Sequence, residues 1–369
     1  MLLSTIALQG AVFNVAEFGA VADGSTDSTR GIQAAVDAAV TAGGGTVLLP
    51  ASKNSFLVRG SITIHGSGVE VSGQGARLRL ADGSIDGRVM PVILFAGTEA
   101  APLHEVALRG LTVDANYFNQ SRAKNSKAVV LKFVEDSVVE DVFITQPYVG
   151  LSVRRSDRVT VRRVTVTDYQ EDGFDTGGDA DEVPGGKSRR ITFSDVVARD
   201  APRCAHDGNA FEIEDGAEDV LIRDALVENV AGNGAGLRNH NSRDNHSRGV
   251  ELRNVTFRRI GGKFAVFGRS APREISGSNS YHKIRLVNLR AEAPVALWGP
   301  IDGLEIESGT YTSLHLGFDS PEGAATVANA LSDATVKDVV VEKVRINGAT
   351  ERISLLALRA DLVEQVRAR

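Results

Sequence analysis

The sequence of 369 residues predicts an all-β solenoid: a parallel β-helix of three-strand coils with a capping helix near the N-terminus. Three observations carry that reading. Apolar residues after position 100 repeat at offsets of 0, 2, 5 and 7. The copies start at 106, 137, 159, 191, 220, 250, 284, 304 and 339, a period of roughly 20–35 residues that marks a stacked repeat. A third short apolar strand, rather than a hairpin turn, precedes most copies, as in GLSV at 150–153 and NAFEIE at 209–214.

The totals agree with many short strands. Hydrophobic residues make up 42% and charged residues 24%, which suits a globular chain, and 38 glycines against 10 prolines suit frequent turns. The formal charge is −6 with no long block of one sign, so a nucleic-acid-binding arm is not expected. A single cysteine, Cys204, rules out a disulfide framework and a cysteine metal cluster, and reads as a small buried filler. No run of 18 apolar residues exists, so a membrane span is not expected. The opening MLLSTIALQGA reads either as the end of a secretion signal, placing the protein outside the cell or in the periplasm, or as an ordinary first strand.

The chain is expected to form one domain over 1–369, with an N-terminal cap at about 12–50, coils at about 55–348 and a C-terminal cap at 349–369. Residues 12–50 read in order as strand, acidic turn, helix, glycine stop and strand. Asp27 or Ser28 caps a helix over 28–41, whose apolar stripe is Ile32, Ala35, Val36, Ala39 and Val40, and Gly43 to Gly45 end it. Such a helix covers strand edges that the end of a stack would expose. In the coils, Val106, Leu108, Leu111 and Val113 show the template, and Val159, Val161, Val164 and Val166 repeat it. Each half alternates inward and outward, and the polar pair between the halves marks a bend. The tail after 348 reads as a last strand and a short helix.

The stretch FGAVADGSTDSTRGIQAAVDAAVTAGGGTVLLPA closely resembles the opening of the pectate-lyase-type right-handed parallel β-helix superfamily, which includes polygalacturonase-like hydrolases, alginate epimerases and lyases, and phage tailspikes. The resemblance implies a right-handed coil and a carbohydrate partner. DGFDTGG resembles the active-coil motif of alginate epimerases, but Thr176, Gly177 and Gly178 stand where a histidine is expected. DANYFNQSRAKNSK resembles the loop that brings a lysine to that site, which makes Lys124 or Lys127 a substrate-binding candidate. Against the hydrolases, EDGFDTG and AHDGNAFEI resemble two acidic motifs, with His206 replacing one aspartate.

Aligning the third strand by its inward pairs, such as Phe174/Thr176, Phe211/Ile213 and Phe264/Val266, places outward residues in ladders whose rungs are about 4.8 Å apart. Asp175 and Glu212 then fall on adjacent rungs, the arrangement that acid–base chemistry on a glycosidic bond uses. Asp207 is a further catalytic candidate. The expected substrate-binding residues are Arg154, Lys124, Glu214, Arg238, His240, Phe267 and Trp298, with Gly236, Ala265 and Ala296 as a floor. Long turns at 177–190, 239–249, 268–283 and 317–338 gather on this edge as cleft walls. No metal or cofactor is required, although Asp179, Asp181 and Glu182 have the composition of a Ca²⁺ loop. The plain alternative for any one of these acids is a solvated turn residue.

The leading expectation is hydrolysis of a poly- or oligosaccharide by the Asp175/Glu212 pair. The second is elimination or C-5 epimerisation of a uronic-acid polymer, with Tyr169, His240 or a lysine as base. The third is a non-catalytic glycan-binding solenoid. The expected partner is carbohydrate, without nucleic acid or membrane, and a homo-oligomer is compatible with the sequence.

Overall fold

The computed structural model describes residues 10–85, 90–120, 126–178, 187–239, 247–270, 281–298, 301–318, 331–332, 334–346, 353–356 and 359–365. The chain divides into two units, Met1–Gln170 and Glu171–Arg369. Within each, every described strand pair runs parallel, and equivalent strands of successive coils stack in register.

In the first unit the helix spans Thr29–Thr41. Ser28 holds the cap position, but Asp27 supplies the capping acceptor, its Oδ1 receiving the Thr29 N–H at 3.0 Å. The hydroxyl of Ser28 instead donates to the Val21 carbonyl at 2.8 Å, tying the preceding turn to the helix start. Ile32, Ala35, Val36 and Ala39 are buried as expected, against strands Val12–Asn14, Gly45–Leu48 and Ile62–Ile64. Gly43 to Gly45 all have positive φ, and the Gly44 amide closes the last turn onto the Ala39 carbonyl at 2.9 Å. Beyond the cap, Val139, Val142 and Ile144 face inward over Val161, Val164 and Val166. On the outside, buried Glu140 pairs with Arg109, Arg162 and Arg163.

The bend between the two halves of a template carries a left-handed residue at the second position of the intervening pair: Asp141 and Arg163 in the first unit, and Asp195, Asp224, Asn254, Asn288 and Ser308 in the second, where Gly309 also has positive φ. Asp and Asn tolerate this conformation because their short polar side chains find local partners. Here they also bond to one another along the stack. Asn254 Nδ2 donates to Asp224 Oδ1, and Asn288 Nδ2 to Asn254 Oδ1, each at 2.9 Å.

In the second unit the interior is filled by Phe174, Phe193 and Phe211. Phe174 stacks on Phe211 at 5.1 Å and 14°, and Phe193 meets Phe174 edge-on at 5.7 Å. All three are almost fully buried. This aromatic stack fixes the strands Asp172–Gly177 and Asn209–Glu214, which carry the acids.

The structure corrects the expected register in three places. In the Phe264 coil the inward pair is Val266 and Gly268, not Phe264 and Val266, because Ala235 pairs with Val266 and Leu237 with Gly268. A Cβ at Gly268 would come within 3.0 Å of Leu297 Cδ2, so the Leu297 side chain takes the interior space that glycine leaves. Ala265 therefore leaves the expected floor. The coil expected to begin at Val339 begins at Ala334: Ile306 pairs with Val336, and Leu314 and Leu316 pair with Val344 and Ile346. The tail forms strands Ile353–Leu356 and Arg359–Gln365, which continue the ladder where a helix was expected.

Candidate active site

In the second unit the strands Asp172–Gly177, Asn209–Glu214 and Asn233–Asn239 stack so that Phe174, Phe211 and Ala235 form one inward row. The side chains between these inward positions point the other way. Asp175 and Glu212 are therefore partners on adjacent rungs, as expected, and Gly236 is the next. Gly177, Glu214 and Arg238 form the next outward row. A Cβ at Gly177 would lie 2.8 Å from Glu214 Cγ. The space of a side chain at 177 is thus filled by Glu214 of the following coil, at the row where the resemblance led one to look for a histidine.

Four polar side chains converge beside this rung. Glu212, 5% exposed, accepts from Arg238 Nη1 at 3.1 Å through Oε1 and from Asn209 Nδ2 at 3.0 Å through Oε2. Asp172, 6% exposed, accepts through Oδ1 from the Asn209 backbone N–H at 3.0 Å and more weakly from Asn209 Nδ2 at 3.4 Å. Through the shared Asn209, Asp172 and Glu212 lie close enough to act on each other's titration. Burial holds the Asp172 carboxyl well above the usual carboxylate range, and the charges of Glu212, Asp175 and Glu171 push it further. Burial likewise raises Glu212, helped by the charge of Glu214; Arg238 and the bond from Asp172 pull it back. Burial works against the charge on Arg238, but Glu212, Asp172 and Glu214 hold its proton more firmly than usual. The cluster thus combines a carboxyl biased toward its protonated form with one whose anion a guanidinium stabilises, the two tendencies that proton donation and proton abstraction use.

An aromatic surface adjoins it. Phe267 lies on the rung of Gly236, between Gly236 and Ala296, in the place expected for Ala265. A Cβ at Gly236 would meet Phe267 Cζ at 2.8 Å, so the ring covers the glycine next to Glu212. Phe264, partly buried, packs against Phe267 at 5.9 Å between ring centroids.

The other expected site residues divide by position. Asp207 and His206 are exposed in the turn before Asn209. Cys204 is buried beneath that turn, where a Cβ at Gly208 or Gly232 would meet its Sγ at 2.9 or 2.7 Å, and burial pushes its thiol up to about 12. It is the packing residue expected. In the first unit, Arg154 Nε and Lys127 Nζ both donate to Ser152 Oγ, at 3.2 and 3.1 Å. Tyr169 is fully buried. Lys124, His240 and the acidic loop of Asp179, Asp181 and Glu182 lie outside the described residues; so do most residues of the four long turns, and of Trp298 only the strand backbone is described. A group with metal-ligand chemistry, His104 with Glu135 and Asp136, occurs in the first unit, but Arg158 bonds both acids, Asp136 at 2.5 Å and Glu135 at 2.9 Å, and supplies the balancing cation.

Sequence reasoning missed Asp172 and Asn209. Both occupy the first position of their strands, two residues before an inward phenylalanine, so alternation alone marks them as interior spacers. The available signal was chemical: an acid and an amide at matching interior positions of successive coils need each other.

Residues 12–88 match the family model described as rhamnogalacturonase A/epimerase, pectate lyase-like. Alginate lyase 7 of Azotobacter vinelandii is 31% identical over 199 residues, covering 51% of this chain and 20% of that protein. Mannuronan C5-epimerase AlgE4 of the same organism is 31% identical over 195 residues, covering 51% of this chain and 30% of that protein. The chain thus spans less than a third of the length of these curated relatives. The solved A-module of AlgE4 superposes with a TM-score of 0.69 at 18% identity, covering 97% of this chain and 98% of the module. The fold is the right-handed parallel β-helix that the opening motif led us to expect.

Proposed function

We propose that the chain is a polysaccharide-modifying enzyme that removes the C-5 proton of a uronic-acid residue, as a lyase or a C-5 epimerase. The order of the two enzymatic readings drawn from sequence is thereby reversed, because the relatives matched over half the chain are named for those two chemistries. The observation that carries the reading is the Glu212–Arg238 pair. A C-5 proton next to a carboxylate becomes acidic only when that carboxylate is neutralised, and the abstracting base must be anionic yet eager for a proton. Arg238, 28% exposed, carries five N–H donors and spends one on Glu212 among the described residues, which leaves donors for a sugar carboxylate. Glu212, with its raised proton affinity, is the base. Asp175 on the neighbouring rung is the second acid–base group, and Phe267 offers a face on which a pyranose ring rests. Departure of the 4-oxygen after abstraction gives a lyase; return of a proton to the opposite face gives an epimerase. A polymer substrate of this kind fits a secreted or periplasmic enzyme.

Hydrolysis is the second reading, favoured by the same two carboxyls on adjacent rungs. A panel of alginate, mannuronan, polygalacturonate and neutral glycans separates the readings. A new ultraviolet absorbance from the C-4–C-5 double bond, or an altered uronate ratio without cleavage, supports the proposal. Reducing ends without either change support hydrolysis and refute it.

A further inference from the structure

We propose that Asp172 is a positioning residue that keeps one proton within the Asp172–Asn209–Glu212 cluster and, through the Asn209 bridge, sets the charge of Glu212. This deepens the reading of Glu212 as the acid–base group and rests on it for its catalytic meaning, although its physical content does not.

The geometry is that of two buried carboxyls bridged by one amide. The Asn209 side chain is fully buried and its Nδ2 faces both Asp172 Oδ1 and Glu212 Oε2, so it holds the two carboxyls at one place. The groups facing Asp172 are mostly acidic: Glu212, Asp175 and Glu171. The thiol of Cys204, which bonds the Glu171 carbonyl at 3.4 Å, keeps its own proton and brings no positive charge. The cation of the cluster, Arg238, bonds Glu212. Two buried carboxyls with one guanidinium between them ionise together only at a large cost in Coulomb energy and desolvation. Arg238 stabilises the anion of Glu212, which it bonds, and the interaction of the two bridged carboxyls raises the proton affinity of Asp172 and lowers that of Glu212, so the proton rests on Asp172 and is offered to Glu212. Glu212 thereby remains an anion despite its burial. After it takes a proton from substrate, the pair holds two protons and can return one, so Asp172 acts on the reaction only through Glu212.

Infrared difference spectroscopy between neutral and alkaline pH reads the neutral carboxyl directly, with no substrate. The wild-type protein should keep a buried protonated-carboxyl band at pH 7 that Asp172→Asn loses. Retention of that band in Asp172→Asn, or its absence in the wild type, overturns the proposal. Should Asp172→Asn fold poorly, Glu212→Gln gives the second reading: the band should titrate away at a pH lower by about one unit or more, because a like charge is gone, and an unshifted titration overturns the proposal. On a confirmed substrate, Asp172→Asn should move the acid limb of the kcat/KM profile and Asp172→Ala should move it further. An unmoved profile in both variants refutes the link to Glu212 while the enzyme assignment stands. A wild-type protein without turnover sinks the enzyme assignment, and the infrared result still decides the proton.

Discussion

Replacing Arg238 with methionine tests the electrostatics of the site most fully. The change keeps much of the side-chain volume and removes the cation bonded to Glu212 at 3.1 Å. Breaking a fully buried ion pair by removing one partner costs roughly 3–5 kcal/mol. Here Glu212 is buried but the guanidinium is 28% exposed, so water replaces part of what is lost and roughly 2–4 kcal/mol is expected at pH 8. The sign of the pH dependence follows from Glu212. Its proton affinity in the folded protein already exceeds the unfolded value of about 4.3 and rises further without Arg238. A group of that kind adds stability below its unfolded value and loses it as pH rises through the folded one. The deficit of Arg238→Met should therefore be small near pH 4.5 and full at pH 8. Urea denaturation followed by circular dichroism measures it, in the wild-type and Glu212→Gln backgrounds. In the latter the same substitution should cost about 1 kcal/mol or less, since no anion is left stranded. A deficit equal at both pH values, or equal in the two backgrounds, would refute the assignment of Arg238 as the counter-charge of Glu212.

Three further outcomes are expected. Phe174→Ala should lower stability by roughly 3–5 kcal/mol in urea denaturation, and Phe174→Leu by about 1–2 kcal/mol, since the leucine fills most of the space but loses the ring stacking on Phe211 and Phe193; an alanine variant as stable as wild type would mean that the stack is not the interior of the unit. Asp175→Asn and Glu212→Gln should each reduce turnover by about 100-fold or more, with a double mutant well short of the product, because groups that act as one unit are not additive; near-normal turnover in both reduces the pair to a turn feature. Gly177→Ala should destabilise measurably in thermal denaturation, because its Cβ would fall 2.3 Å from the Glu214 carbonyl oxygen and the backbone must yield, whereas Gly236→Ala meets side chains alone, the Phe267 ring at 2.8 Å and Asn209 Oδ1 at 3.2 Å, and should raise KM more than it lowers stability.

Much of the fold was legible because a solenoid repeats its own evidence. Val159, Val161, Val164 and Val166 alone are an ambiguous apolar run, but the same spacing coil after coil admits one stacking. The Asp175–Glu212 rung followed from that alignment without any coordinates. Where a segment alternates in two ways at once, periodicity could not choose. In FAVFG both Phe264/Val266 and Val266/Gly268 obey the alternation, and only the Leu297 side chain over Gly268 selects the second. Residues 339–346 imitate the template by chance: Val341, Val344 and Ile346 lie in one strand, Val340–Ile346, in which Val341 pairs with Tyr311, the end of the preceding template, and Val344 and Ile346 pair with Leu314 and Leu316 beyond it. Asp172 was illegible for another reason. Its role comes from Asn209 and Glu212 meeting it across a corner, and no count along the chain reports which way a buried acid turns.

The central claim, removal of a C-5 proton by the Glu212–Arg238 centre, is tested most directly by proton NMR of a mannuronate polymer incubated with the protein in D2O. Deuterium at C-5 of uronates with altered configuration, or olefinic C-4 signals on newly cut chains, is the expected result, and either should fall away in Glu212→Gln. New reducing ends with every C-5 proton retained would contradict it.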